Sequence, residues 1–404
     1  MVIRENYLRK IRPFYDSELV KVITGIRRCG KSTLMGQIVD EIRGLGVPDD
    51  HILVINFELY KYHRLMNPDA FNDYVEEKLA DDQKYYLFFD EIQNVKDFEL
   101  VVNSFRAGHN VSIFLTGSTS KLLSGELSSH LGGRTISFRI MPFTFHEIEE
   151  LVREMGMTFD RMKLFEEYIR WGGFPLVWSV AAGEDREVVL SNLYDSIVLK
   201  DIVLRNHINS PVILEKILTY IIANSSTAFS GNRVAGVLTS QALKISAPIV
   251  NAYIRAIEDA CVVNRAERYD IRGSRILSYE AKLYVSDLGF FHLKKNRVKD
   301  EYNFIVETLI YNELLARGYH VYVGKTQKGE IDFIAERNQK KCYIQAAYLM
   351  ADEKTRAREF GAYADIRDNY PKYVISLDPI TRDENGIQHL NLLDFLEDEE
   401  LIPG

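Results

Sequence analysis

The stretch Leu19–Ser32, LVKVITGIRRCGKS, decides the fold of the first third of the chain. Leu19 to Thr24 is a short, apolar, β-branched run that reads as a buried strand. Gly25-Ile26-Arg27-Arg28-Cys29-Gly30-Lys31-Ser32 then fits the spacing G-x-x-x-x-G-K-[ST], and Lys31 to Arg43 reads as a helix. A glycine-bounded loop between a strand and a helix is a phosphate cradle. Its backbone N–H groups close around phosphate oxygens, and the positive end of the helix points at them. In such a cradle Lys31 reaches the β- and γ-phosphates of ATP and the Ser32 hydroxyl holds Mg²⁺. The nucleotide-binding candidates are therefore Gly25, Arg28, Cys29, Gly30, Lys31, Ser32 and Thr33. Two readings of Arg27 and Arg28 stand open: one contacts phosphate, or both pack outward. Cys29 reads as a small space-filling residue rather than a redox switch.

Working outward, His51 to Phe57, Tyr85 to Phe89, Val111 to Thr116 and Thr135 to Ile140 are further apolar strands, with a helical stretch at Phe71 to Leu79. Strands alternating with helices imply a mostly parallel sheet covered on both faces. The run Tyr85–Phe89 ends in Asp90-Glu91. Ligands of open parallel sheets bind beyond the carboxyl ends of the strands, so these acids belong to the same site as the loop. Asp90 is the second magnesium candidate, through water, and Glu91 is the candidate base that orients and deprotonates the attacking water. Val111–Thr116 leads into Gly117-Ser118-Thr119-Ser120, where Ser118 is the candidate polar sensor of the γ-phosphate. Arg134, in Gly132-Gly133-Arg134, is a candidate source of transition-state charge for its own or a neighbouring nucleotide.

A chain of 404 residues exceeds what one hydrophobic core serves, so several domains are expected. The net charge of -8 argues against coating nucleic acid by bulk electrostatics, though a local basic face is compatible with it. Cys29, Cys261 and Cys342 are too scattered for a disulfide framework or a zinc site. No apolar run approaches a membrane span and no secretory signal is legible, so the expectation is a cytoplasmic protein without a membrane partner. The oligomeric state is not readable from the sequence.

The segments ITGIRRCGKST, LFFDEIQNV, FLTGSTSKLLSGEL and PFTFHEI together resemble the bacterial and archaeal AAA-family ATPases that carry a C-terminal domain of unknown function, relatives of the archaeal ATPase and STAND group. The resemblance implies an α/β multidomain protein with a P-loop parallel sheet of AAA type at residues 1–150 and a helical lid at 151–206. Thr119 stands where that family has Asn. In related groups a Gly-x-Pro turn near the lid contacts adenine, and Gly173-Phe174-Pro175 fits it, which makes Pro175 a candidate against the alternative of a plain helix breaker.

Residues 207–295, with short helices at 211–223, 230–238 and 247–260 and a strand pair through Val285, resemble a winged helix. Ala247–Ala260, with Asn251, Tyr253 and Arg255, is the expected recognition helix, and Lys244, Arg265, Arg268, Arg272 and Arg275 cluster nearby. DNA and another protein both remain open as its partner. Residues 296–404 resemble the PD-(D/E)XK nuclease fold, with Glu307, Asp332 and Gln345 at the site positions. Gln345 carries no charge, and Ala347 stands where that fold needs Lys, so the expected site is degenerate. Three functions follow as expectations: a magnesium-dependent ATPase switch, an ATP-gated nuclease, or a STAND-like regulatory module with little turnover.

Overall fold

A computed structural model describes residues 2–402 apart from 119–121, 123–130, 132, 242, 244, 295–301 and 328, and apart from the side chains of 200 and 278–280. Thr119, Ser120, Gly132 and Lys244 lie outside the described residues. The chain divides into two compact units, Met1–Ile140 with Asp259–Cys261, and Met141–Glu258 with Val262–Gly404.

The first unit is built on strands β1 (Val20–Thr24), β2 (Ile52–Asn56), β3 (Tyr85–Asp90), β4 (Val111–Gly117) and β5 (Thr135–Arg139). They pair in the order β2-β3-β4-β1-β5, and every pairing is parallel. All residues of β1, β3 and β4 are buried, which is why these strands read as continuous apolar runs rather than alternating ones. Helices Lys31–Gly44, Pro68–Lys78 and Phe98–Gly108 cover the sheet. Phe71 packs edge-on against Phe57, Phe89 and Phe105, clamping the helices to it. The sequence reading passed over the helix Phe98–Gly108 and the opening helix Glu5–Ile11.

The topology fixes where the site lies. Parallel strands end on one edge, and β4 lies between β1 and β3. Thr24 is opposite Gly117, and Asn56 is opposite Asp90. The loop after β1 and the acids after β3 therefore stand two strand spacings apart, about 10 Å, with the end of β4 between them.

The second unit begins with helices Phe145–Glu154, Arg161–Trp171, Pro175–Trp178 and Glu184–Ser196, and a π-helix at Ile197–Leu204. A capping box between Thr144 and Glu147 starts the first, and the Asp160 carboxylate caps the second. Helices Pro211–Ala223, Gly231–Ser240 and Ala247–Asp259 precede the hairpin β6 (Val263–Asp270) and β7 (Arg275–Val285), with a bridge between Ala228 and Lys282. Helix Tyr302–Ala316 leads into β8 (His320–Lys325), β9 (Glu330–Arg337) and β10 (Lys340–Ala346), followed by helix Glu353–Gly361, β11 (Lys372–Ser376) and β12 (Gln388–Asn391).

Here the structure departs from the expected partition. β6 pairs in parallel with β8, Arg268 opposite Val323, so one seven-stranded sheet runs β12-β11-β10-β9-β8-β6-β7. The hairpin assigned to residues 207–295 and the strands assigned to 296–404 are hydrogen-bonded into a single sheet.

Candidate nucleotide-binding site

Between β1 and its helix the chain adopts backbone conformations that few residues tolerate. Gly25 and Gly30 have φ of +156° and +102°, and Arg28 has φ of +68°. At Gly25 a side chain is excluded twice, by the positive φ and because a Cβ would fall on the Ile140 carbonyl oxygen. Lys31 is buried, and its Nζ donates to the Gly25 and Ile26 carbonyls at 3.2 Å each. Ser32 and Thr33 open the helix in exposed positions. Arg28 is exposed, whereas Arg27 is buried and donates to Glu58 at 2.5 Å. The two arginines therefore have different roles in the fold, and Arg28 is the one that faces solvent. Cys29 is fully buried, burial pushes its thiol pKa up, and its S–H points at the Ile140 carbonyl at 3.7 Å. An inert, space-filling residue fits that environment.

Asp90 and Glu91 are buried at the end of β3. Asp90 is held from two sides: it accepts from Asn56 Nδ2 at 2.7 Å and from the Thr116 hydroxyl, and the Ser32 hydroxyl lies close enough to lower its pKa. Burial raises its pKa, and Thr116 and Ser32 work against that. The next backbone N–H, that of Glu91, donates to Thr116 Oγ1 at 3.0 Å, and Glu91 itself has φ of +55°. Its carboxylate lies 3.8 Å from Lys31 Nζ and accepts from Gln93 Nε2, with the Ser118 hydroxyl at 3.4 Å. Lys31, Ser32, Asp90, Glu91 and Ser118 thus form one constellation.

These residues fit a magnesium-bound triphosphate. Ser32 and Asp90 present hard oxygen donors close to each other, and Lys31 lies near them in a glycine-lined loop at the N-terminus of a helix.

Arg134 is elsewhere. Its carbonyl accepts from Val20 N, at the start of β1, and Thr135 pairs with Val20 while Arg139 pairs with Thr24. It therefore sits at the edge of the sheet opposite the loop, a strand length of about 16 Å away. That is beyond the reach of an arginine side chain, so the reading in which Arg134 serves its own chain's nucleotide is corrected. Position next to a strand was legible in the sequence; which end of the sheet that position occupies was not. Arg139, at the other end of β5, is the cation level with Thr24.

Pro175 belongs to the second unit and opens the short helix Pro175–Trp178. The turn before it is fastened within that unit: Gly173 N donates to Asp287 Oδ2 at 2.7 Å, and the Gly173 carbonyl accepts from Phe143 N at 2.8 Å. Asp287 also accepts from Gly289 N at 2.8 Å. Burial raises the Asp287 pKa to about 7, against the pull of these backbone bonds.

Several supporting residues went unnoticed in the sequence. Asn56 and Thr116 were legible in principle, as polar residues closing apolar strands. Gln93 follows the acids closely and carried the same kind of signal. Arg4 gave no signal. It is buried, and its Nη1 donates to the Cys29 carbonyl at 3.0 Å, bracing the loop from the N-terminal segment.

Among known proteins, residues 17–149 match the AAA domain family and residues 162–300 match a domain of unknown function, DUF8612. An uncharacterized protein of Haemophilus influenzae is 34% identical over 98% of this chain and 98% of its own length. The chain belongs to this family of AAA-domain P-loop ATPases. An uncharacterized protein of Methanocaldococcus jannaschii is 29% identical over 95% of this chain and 87% of its own length. In fold, a Walker-type ATPase of Pyrococcus abyssi superposes with a TM-score of 0.53 at 15% identity, over 73% of this chain and 96% of that one. Among the described residues no helix is long and apolar enough to cross a membrane.

In the second unit Glu307, Asp332 and Gln345 come together. Asp332 N donates to Gln345 Oε1 at 3.3 Å, and Lys282 of β7 bridges Glu307 at 2.8 Å and Asp332 at 4.0 Å. Ala347 is buried and contributes no charge.

Proposed function

We propose that this AAA-domain protein is a magnesium-dependent ATPase that works as a nucleotide-driven switch, with residues 211–285 as its partner-facing element. The observation that carries the reading is the gathering of Ser32, Lys31, Asp90 and Glu91 at the carboxyl edge of the parallel sheet. Bound Mg-ATP would supply the electrophilic phosphorus. Ser32 and Asp90 would hold the metal, and Lys31 would place positive charge against the β- and γ-phosphates. Glu91 accepts the proton of the attacking water, and Ser118, its neighbour, senses the γ-position. Gly173-Phe174-Pro175 remains the proposed adenine contact, and Arg134 remains a proposed finger for a neighbouring subunit's nucleotide.

DNA is the second reading for the partner. The three helices and hairpin of residues 211–285 have the order of a winged helix, and Asn251, Arg255 and Arg272 are exposed on it. Much of its basic character is internally neutralised: Arg265 pairs with Glu258 at 2.6 Å, Arg268 with Glu330 at 2.6 Å and Arg275 with Asp270 at 3.9 Å. Tyr253 is buried, so it packs the helix instead of reading bases. Phosphate release by the full chain, measured with magnesium alone and with duplex DNA added, tests both readings. Magnesium-dependent release is the expected result, and stimulation by DNA would select DNA as the partner. Absence of release in both conditions would reduce the protein to a binding module.

A further inference from the structure

A second cluster of charge lies in the seven-stranded sheet. Glu307 comes from the helix Tyr302–Ala316, and Glu330 and Asp332 come from β9. With Gln345 and Glu359 they line a cleft of about 600 Å³. Carboxylates gathered from a helix and a strand at the wall of a cleft are the usual means of holding a divalent cation for phosphodiester chemistry. Here another segment of the same chain reaches these carboxylates. Lys282 of β7 sends its ammonium to Glu330 at 2.5 Å, Glu307 at 2.8 Å and Asp332 at 4.0 Å. Its side chain is 7% exposed. Tyr284, two residues on and on the same face of the strand, donates to Glu307 at 2.8 Å. Burial opposes the charge on Lys282, but Glu307, Asp332 and Glu330 outweigh it and hold its pKa above the ordinary lysine range.

We propose that Lys282 is the resident cation of this cleft: its ammonium stands where a divalent ion would sit, so the wild-type cleft takes up no metal, and the same contacts pin the hairpin β6–β7 to the tail. Three observations converge. Hydrogen-bond contacts to Glu307 and Glu330 leave no room for an ion between ammonium and carboxylates. Among the described residues no group of three or more His, Cys, Asp and Glu side chains is arranged to hold a metal ion. Finally, Gln345 supplies an amide where an acid would strengthen a metal site, and with Lys282 already present the cleft needs no additional charge.

Manganese titration of the nucleotide-free full chain, followed by loss of the free Mn²⁺ electron paramagnetic signal, tests this. Wild type and Asp332→Asn should behave alike, with no binding that depends on Asp332. Lys282→Met should gain one site at least about tenfold tighter than any in the wild type, and Lys282→Met/Asp332→Asn should lose it. Asp332-dependent Mn²⁺ binding by the wild type would overturn the proposal. So would a folded Lys282→Met that gains no site. Manganese-dependent DNA cleavage by the wild type that disappears in Lys282→Met would overturn it too, by making Lys282 part of a working metal site. Should Lys282→Met fail to fold, the comparison of wild type with Asp332→Asn decides alone.

Discussion

Glu91→Gln should bind ATP within about twofold of the wild type and lose turnover by about a hundredfold or more, the range seen when a positioned general base is removed. The substitution keeps the shape and the acceptor oxygen and removes the ability to take a proton. Binding should survive because the phosphate-facing groups, Lys31, Ser32 and the loop backbone, are left in place. The Lys31–Glu91 separation of 3.8 Å is a weak ion pair, and its loss leaves Lys31 still bonded to the Gly25 and Ile26 carbonyls. Phosphate release and a fluorescent-nucleotide titration on the same preparation read the two quantities. Unchanged turnover would remove Glu91 from the role of base.

The second large effect belongs to Lys31. Lys31→Ala should weaken ATP binding between about 10- and 100-fold, the worth of one or two charge-assisted hydrogen bonds to phosphate. The variant should fold, because the helix Lys31–Gly44 starts at Gly30 and holds its register through Leu34, Ile38 and Ile42, all buried. A calorimetric titration measures the loss and a thermal melt confirms the fold. Unaltered affinity in a folded variant would mean that the loop does not bind phosphate.

What the sequence conveyed depended on how local the signal was. The strand, loop and helix around Lys31 are contiguous, and each residue type there has one physical reason to be present. Asp90 and Glu91 were legible for the same reason, since acids closing an apolar strand must lie at its carboxyl end. Long-range pairings were opaque. Nothing near Arg134 tells which way β5 runs; only its parallel pairing with β1 puts Arg134 at the amino edge of the sheet. Nothing in residues 263–270 announces that β6 will find β8 across more than one intervening helix. Lys282 was invisible as a cleft residue because its partners, Glu307, Glu330 and Asp332, lie beyond a segment assigned to a different domain. Tyr253 was misjudged for a subtler reason: on a helix one step changes the face, and the buried side of Ala247–Asp259 runs through Val250, Tyr253, Ile254 and Ile257, leaving Asn251 and Arg255 outside.

The proposed site requires a single metal-bound triphosphate shared by the loop after β1 and the acid after β3. ATP affinity measured with and without magnesium, in the wild type and in Asp90→Asn, tests that most directly. Magnesium should tighten ATP binding in the wild type and do so far less in Asp90→Asn; equal affinity with and without magnesium in the wild type, or full tightening in the variant, would contradict it.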